Sequence, residues 1–234
     1  MTLQWEAPTL QFTGTGSRTW IDVTMRETPF RLGSGEYEYW IACREAWRAS
    51  KTKDVSSWRK YRDFVESGRY HFVDRKGDAP YGFAEAFVAL ALHRRGFTCW
   101  TGVGRRPVNA ERRLKNTRAV EDQLKKDGIA PPRGLTHDLT PALKNPDVVA
   151  YDRRRKEWRF CEVKRTERVQ PGQIAGLAVL HLLTGGAVTV VRLVHDKDFV
   201  SKEHEARVMC STRSQVLTAA SRRRNAEIKR TSGV

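Results

Sequence analysis

The stretch NPDVVAYDRRRKEWRFCEVKR, residues 145–165, decides how this chain folds. PDVVAY and EWRFCEVK are two short runs rich in β-branched and aromatic residues, and the charged, turn-like DRRRK between them reads as the tip of a hairpin. In FCEVK, Glu162 and Lys164 are two apart and project from one face of the strand, while Val163 points the other way into apolar packing. Antiparallel pairing of the two runs brings Asp147, at the start of the first, near Glu162 at the end of the second, so two carboxylates come within reach of one ion.

The sequence on the C-terminal side changes period. QPGQIAGLAVLHLLTGG, residues 170–186, has apolar residues at helical spacing and ends near Gly185, suited to a left-handed cap, and AVTVVRLV, residues 187–194, is a nearly continuous β-branched run of the kind found in buried strands. On the N-terminal side, DAPYGFAEAFVALALHRRG, residues 78–96, supplies Asp78 as an N-cap, Pro80 in the first turn, a long apolar helix, two arginines in its last turn and Gly96 as its stop. Residues 97–101 read as a short strand. The order is therefore helix, strand, hairpin, helix, strand: an α/β chain with a central mixed sheet flanked by helices.

Residues 104–126 carry eight Arg or Lys against three acids, in a polar insertion expected to be helical or mobile, followed by the Pro/Gly-rich loop APPRGLTHDLTP. Residues 1–77 hold five of the seven tryptophans, with helices expected over 35–48 and 55–66 after an irregular lead-in. Residues 211–229 look like a basic amphipathic helix running into a tail. This divides the chain into a small, mainly helical N-terminal subdomain (1–77), a core (78–200) with the basic insertion 104–145, and a basic C-terminal segment (201–234).

A formal net charge of +16, with 27 acidic residues retained, describes a folded protein with a strongly basic face, for which nucleic acid is the leading partner. The four cysteines are far apart and lack CxxC spacing, so neither a zinc site nor a disulfide framework is indicated, and a reducing cytoplasm fits. The N-terminus has no signal-like run, and no apolar segment approaches the ~20 residues needed to cross a bilayer.

The chemistry these residues suit is phosphodiester hydrolysis, which builds negative charge on phosphorus oxygens and needs an activated water. Asp147, Glu162 and the Val163 carbonyl are hard oxygen donors suited to Mg2+ or Mn2+, and Lys164 would orient the water and offset transition-state charge. Glu85 lies among Ala84, Ala86, Phe87 and Leu90, where a carboxylate is costly to bury unless it is paired or bound to metal. It either ligates the ion, directly or through water, or pairs with an arginine such as Arg94 or Arg95, or is simply exposed. Gln173 either hydrogen-bonds a water or the DNA backbone near the site or is an exposed first-turn residue. The His137–Asp138 pair and the run 195–198 (HDKD) sit in polar, loop-like context and are assigned no role.

With its Glu on YGFAEAFVALALHRRGF, its Asp on NPDVVAY and its Glu-x-Lys on FCEVKR, roughly half of the chain resembles the PD-(D/E)xK nuclease superfamily. The Gln of VQPGQIAGL is most similar to the VRR-NUC and Holliday-junction-resolvase branches. The resemblance implies a restriction-endonuclease-like αβββαβ core and Mg2+-dependent cleavage of DNA, with Glu85, Asp147, Glu162, Lys164 and Gln173 as the catalytic set. It also implies Asp147, Glu162, Glu85 and the Val163 carbonyl as the metal ligands. DNA contacts are expected from Arg105, Arg106, Arg112, Arg113, Lys115 and Arg165, and a homodimer would suit a symmetric substrate. The basic insertion and the N-terminal subdomain depart from the minimal core. Two other readings compete: a non-catalytic nucleic-acid-binding protein on the same fold, and an RNA-cleaving enzyme.

Overall fold

The protein is described here from a computed structural model, covering residues 5, 7–14, 18–30, 83–103, 110–129, 145–194 and 199–211. The strands are β1 (Thr9–Thr13), β2 (Arg18–Pro29), β3 (Thr98–Thr101), β4 (Val148–Asp152), β5 (Glu157–Lys164), β6 (Ala187–Arg192) and β7 (Glu203–Ser211). The helices are α1 (Phe83–His93), α2 (Ala110–Lys126) and α3 (Pro171–Thr184). The strands form one open, mixed sheet in the order β1-β2-β6-β5-β4-β3, with β7 pairing β2. The chain is thus α/β, as its patterning implies.

The hairpin expected over 146–164 is present: β4 and β5 pair antiparallel with Val148 opposite Cys161 and Tyr151 opposite Trp158. Asp152 Oδ1 accepts the N–H groups of Arg154 and Arg155 and so sets the turn, and Lys156 closes it at φ 56°. β5 and β6 are parallel, joined by the α3 crossover, and Gly185, at φ 74°, gives α3 the left-handed cap that an L side chain resists.

β4 up to Tyr151 and the last five residues of β5 are buried on both faces, which explains the apolar run of β4 and leaves Glu162 and Lys164 as charged groups inside the sheet. Val149, Tyr151, Trp158 and Phe160 pack with Val188, Val190, the α3 residues Ile174, Leu177 and Ala178, and Val120 and Leu124 of α2. The alternate residues Val148, Ala150, Cys161 and Val163 turn to the opposite face, against α1, whose Val88, Ala89 and Leu92 are fully buried.

Two segments differ from what their sequences suggest. The lead-in, expected to be irregular, contains β1 and β2. β2 pairs antiparallel with β1 and β7 along most of its length, then enters the core sheet as the parallel neighbour of β6 over Glu27–Pro29. Its inward residues Ile21, Val23 and Met25 are buried and its outward ones, Trp20 aside, are polar, an alternation that a tryptophan-led helical reading overlooks. Residues 203–211, assigned to a basic C-terminal segment, form β7, because pairing with β2 satisfies their backbone and buries Val208. The helices expected over 35–48, 55–66 and 211–229 lie outside the described residues, as do Asp78 and Pro80, the loop 130–141, His137, Asp138 and the run 195–198. Of the polar insertion, residues 110–126 are helical. No helix among the described residues is long and apolar enough to cross a membrane.

Candidate active site

Continuing the β4–β5 register by one position sets Asp147 opposite Glu162, and by two sets Pro146 opposite Val163. In an antiparallel ladder, a residue's N–H and C=O point to the same neighbouring strand. Pro146 has no N–H to offer, so the ladder donor that would normally meet the Val163 carbonyl is missing. The Val163 N–H is taken instead by the Asp147 side chain, at 2.9 Å. The Pro-Asp dipeptide thereby ends the ladder and turns a carboxylate toward the end of β5.

Lys164 Nζ stands between the two acids, 2.5 Å from Glu162 Oε1 and 3.9 Å from Asp147 Oδ2. Glu162 is fully buried, and its other oxygen, Oε2, has no hydrogen-bond partner. The Gln173 amide also donates to Glu162 Oε1. Its orientation is fixed from behind, because Gln173 Oε1 accepts the N–H of Gln170 at 2.8 Å, half of a capping box at the start of α3. Of the two places the sequence leaves open for Gln173, near the site or exposed in the first turn, the side chain takes the first, tied to Glu162.

Burial raises the Glu162 carboxyl to about 9, and the neighbouring Asp147 charge adds to the shift. Glu85 is raised to about 8, first by burial and then by Asp147, so the α1 carboxylate belongs to the same electrostatic cluster and also feels Lys164. Burial likewise raises Asp147, against the pull of Lys164 and the Val163 N–H. Burial alone would lower Lys164, but Glu162 and Asp147 outweigh it and hold the ammonium above its ordinary value. Three carboxyls crowded around one ammonium therefore favour proton uptake: Glu85 and Glu162 hold protons at neutral pH, which a bound cation would have to displace.

The donors are hard oxygens, and the orphaned Glu162 Oε2 and the Pro146-released Val163 carbonyl fit a Mg2+- or Mn2+-type ion. Among the described residues, no three Asp, Glu, His or Cys side chains already surround a single point, and Lys164 holds the space between Asp147 and Glu162.

Arg105 and Arg106, expected to contact DNA, lie outside the described residues, as do the side chains of Arg112 and Arg113. Lys115 is exposed on α2, and Arg165 follows Lys164 directly.

The sequence reading missed a second ion pair beside the first. Arg192 is opposite Lys164 in the β5–β6 register, and its guanidinium grips Glu27 of β2 through two contacts, at 2.5 and 2.6 Å. The same guanidinium donates to the Arg165 carbonyl at 2.8 Å and to the Glu167 carbonyl, fixing the chain just after Lys164. His204 of β7 adds a 2.7 Å contact to Glu27. A lone arginine in the otherwise apolar AVTVVRLV was the available signal, since such a residue requires a buried acid. No protein-family model, curated protein or solved structure matches this chain.

Proposed function

We propose that this protein is a divalent-cation-dependent nuclease that hydrolyses DNA phosphodiester bonds, on a core of the PD-(D/E)xK type. One observation carries the reading: Asp147 and Glu162 occupy opposed positions on β4 and β5 and share Lys164, in a cluster that Glu85 and Gln173 join from the two flanking helices. The element order α1, β3, β4, β5, α3, β6, with α2 inserted between β3 and β4, is consistent with that core.

In this reading Asp147, Glu162, Glu85 and the Val163 carbonyl would hold Mg2+ or Mn2+. The ion supplies Lewis-acid polarisation of the phosphoryl oxygen and lowers the pKa of the attacking water. Lys164, charged throughout the neutral range, donates to that water or to a phosphoryl oxygen and offsets the negative charge that develops there. Asp147 is anchored by the Val163 N–H, and Gln173 orients Glu162, so both carboxylates are held before substrate arrives.

A second reading is favoured by the contact between Lys164 and Glu162: an internal ammonium can serve as the only cation, leaving a nucleic-acid-binding protein without catalysis. Incubating supercoiled, linear, single-stranded and branched DNA, and RNA, with the wild type and Lys164→Ala separates the two. Mg2+- or Mn2+-dependent cutting that disappears in the variant supports the nuclease and identifies its substrate. Tight binding with no cutting in either metal overturns it in favour of binding alone.

A further inference from the structure

α2 is a bridge between the two ends of the β4–β5 hairpin. Near its middle, Asn116 donates to the Thr101 carbonyl at 2.9 Å, and Thr101 pairs with Val148, the residue after Asp147. Asn145 fastens the same end through the Val103 carbonyl. Beyond the last turn of α2, Asp127 receives the Tyr151 hydroxyl at 2.9 Å and the Trp158 indole N–H at 2.8 Å, and these two residues flank the hairpin turn. The helix therefore runs from the carboxylate cluster to the far tip of the hairpin.

Its outward side chains are charged. Lys115, Arg118 and Lys126 are exposed, and the turn continues the series with exposed Arg153, Arg154 and Lys156; none of the six has an ion pair among the described residues. Of the acids there, Asp122 pairs with Lys125, Asp127 takes the two aromatic donors, Asp152 takes the turn amides and Arg155, and Glu121 is half-buried on α2. None of the large apolar side chains exposed among the described residues lies on α2 or the turn.

The geometry points to one continuous phosphate-binding track, in which the outer face of α2 and the β4–β5 turn hold the backbone of duplex DNA whose other end lies at the Asp147–Glu162–Lys164 cluster. Eight residues of strand separate Lys156 from Lys164, about 25 Å at ~3.3 Å per residue, which is roughly seven base pairs of duplex. The direction of the track rests on the nuclease reading of the cluster. The contact of the turn with DNA does not, and it can be measured where no cutting occurs.

The test is the salt dependence of binding to a 20-base-pair duplex in EDTA, with the full chain carrying Arg153→Gln/Arg154→Gln. Melting temperature serves as the folding control, because the turn is set by backbone amides and not by these side chains. Removing one cation from a phosphate is expected to lower the log–log salt slope by about 0.9, so the double variant should lose up to about two units. Lys115→Gln/Arg118→Gln should do the same, and Lys202→Gln, exposed on the loop before β7, should not. An unchanged slope in the turn variant overturns the track, and so does an equal fall with Lys202→Gln, which would mean diffuse charge. Cleavage that fails in every metal while the slopes shift as expected would overturn the nuclease reading and leave the track standing.

Discussion

Lys164 and Arg192 are opposite one another across the β5–β6 register, and each contacts a buried glutamate on the same face of the sheet: Glu162 for the first, Glu27 for the second. The two pairs respond differently to loss of the cation. Glu162 is already pushed up to about 9 by burial and by Asp147, so it can take a proton and discharge itself. Glu27 is held below the usual carboxylate range, because Arg192 and His204 outweigh the burial that alone would raise it.

Lys164→Met is accordingly expected to cost only about 1–3 kcal/mol of metal-free stability at pH 7, the scale of a lost buried hydrogen bond. Arg192→Met should cost about 3–5 kcal/mol, and Glu27→Leu/Arg192→Met should recover part of that. Urea unfolding of the three proteins gives the comparison. A larger loss in Lys164→Met than in Arg192→Met would contradict the assignment of charge to the two pairs.

Acid should weaken the wild type through Glu27. A carboxyl with a depressed folded pKa contributes stability above its unfolded pKa and loses it as pH falls through the folded value. The acid limb of a melting-temperature profile should therefore be shallower in Glu27→Gln, although that variant starts from a lower stability at neutral pH. Parallel acid limbs for the two proteins would count against the lowered pKa of Glu27.

Mg2+ or Mn2+ should raise the melting temperature of the wild type, by linkage worth about 2.7 kcal/mol at one hundred times the dissociation constant. Asp147→Asn retains an acceptor for the Val163 N–H, so it should fold but lose the metal-dependent shift together with cleavage, the latter by about three orders of magnitude. A full metal-dependent shift in Asp147→Asn would place the ion elsewhere.

Gly186 lies where α3 returns to β6. A Cβ there would come within 2.7 Å of the Trp158 Cβ and carbonyl and 2.8 Å of Phe160, both well-packed groups of β5. Gly186→Ala should destabilise by about 1–3 kcal/mol through overpacking and shift the far part of β5. Denaturant titration reads the first effect, and a lowered cleavage rate at saturating substrate would report the second.

Much of the core was legible from local pattern. The period-2 run of β5, the helical spacing of α3 with Gly185 behind it, and the turn chemistry of DRRRK each specify their own conformation through interactions a few residues long. The pairing of Asp147 with Glu162 followed from the hairpin alone, because an antiparallel turn fixes register. By contrast, β1, β2 and β7 were not recognised. β2 and β7 are nearly two hundred residues apart in places, as with Arg18 and Ser211, and no local signal says that such strands will meet.

By itself, then, the sequence determined the helix, strand, hairpin, helix and strand of the core and put Glu162 and Lys164 on one face, since side-chain period and turn type are properties of short segments. Only the tertiary structure decided that Arg192 locks the chain after Lys164 through Glu27, that Gln173 is turned onto Glu162, and that a basic helix links the acidic cluster to the hairpin tip. Those relations depend on which strands become neighbours, and that is settled by burying apolar faces across the whole sheet and not by any one stretch of chain.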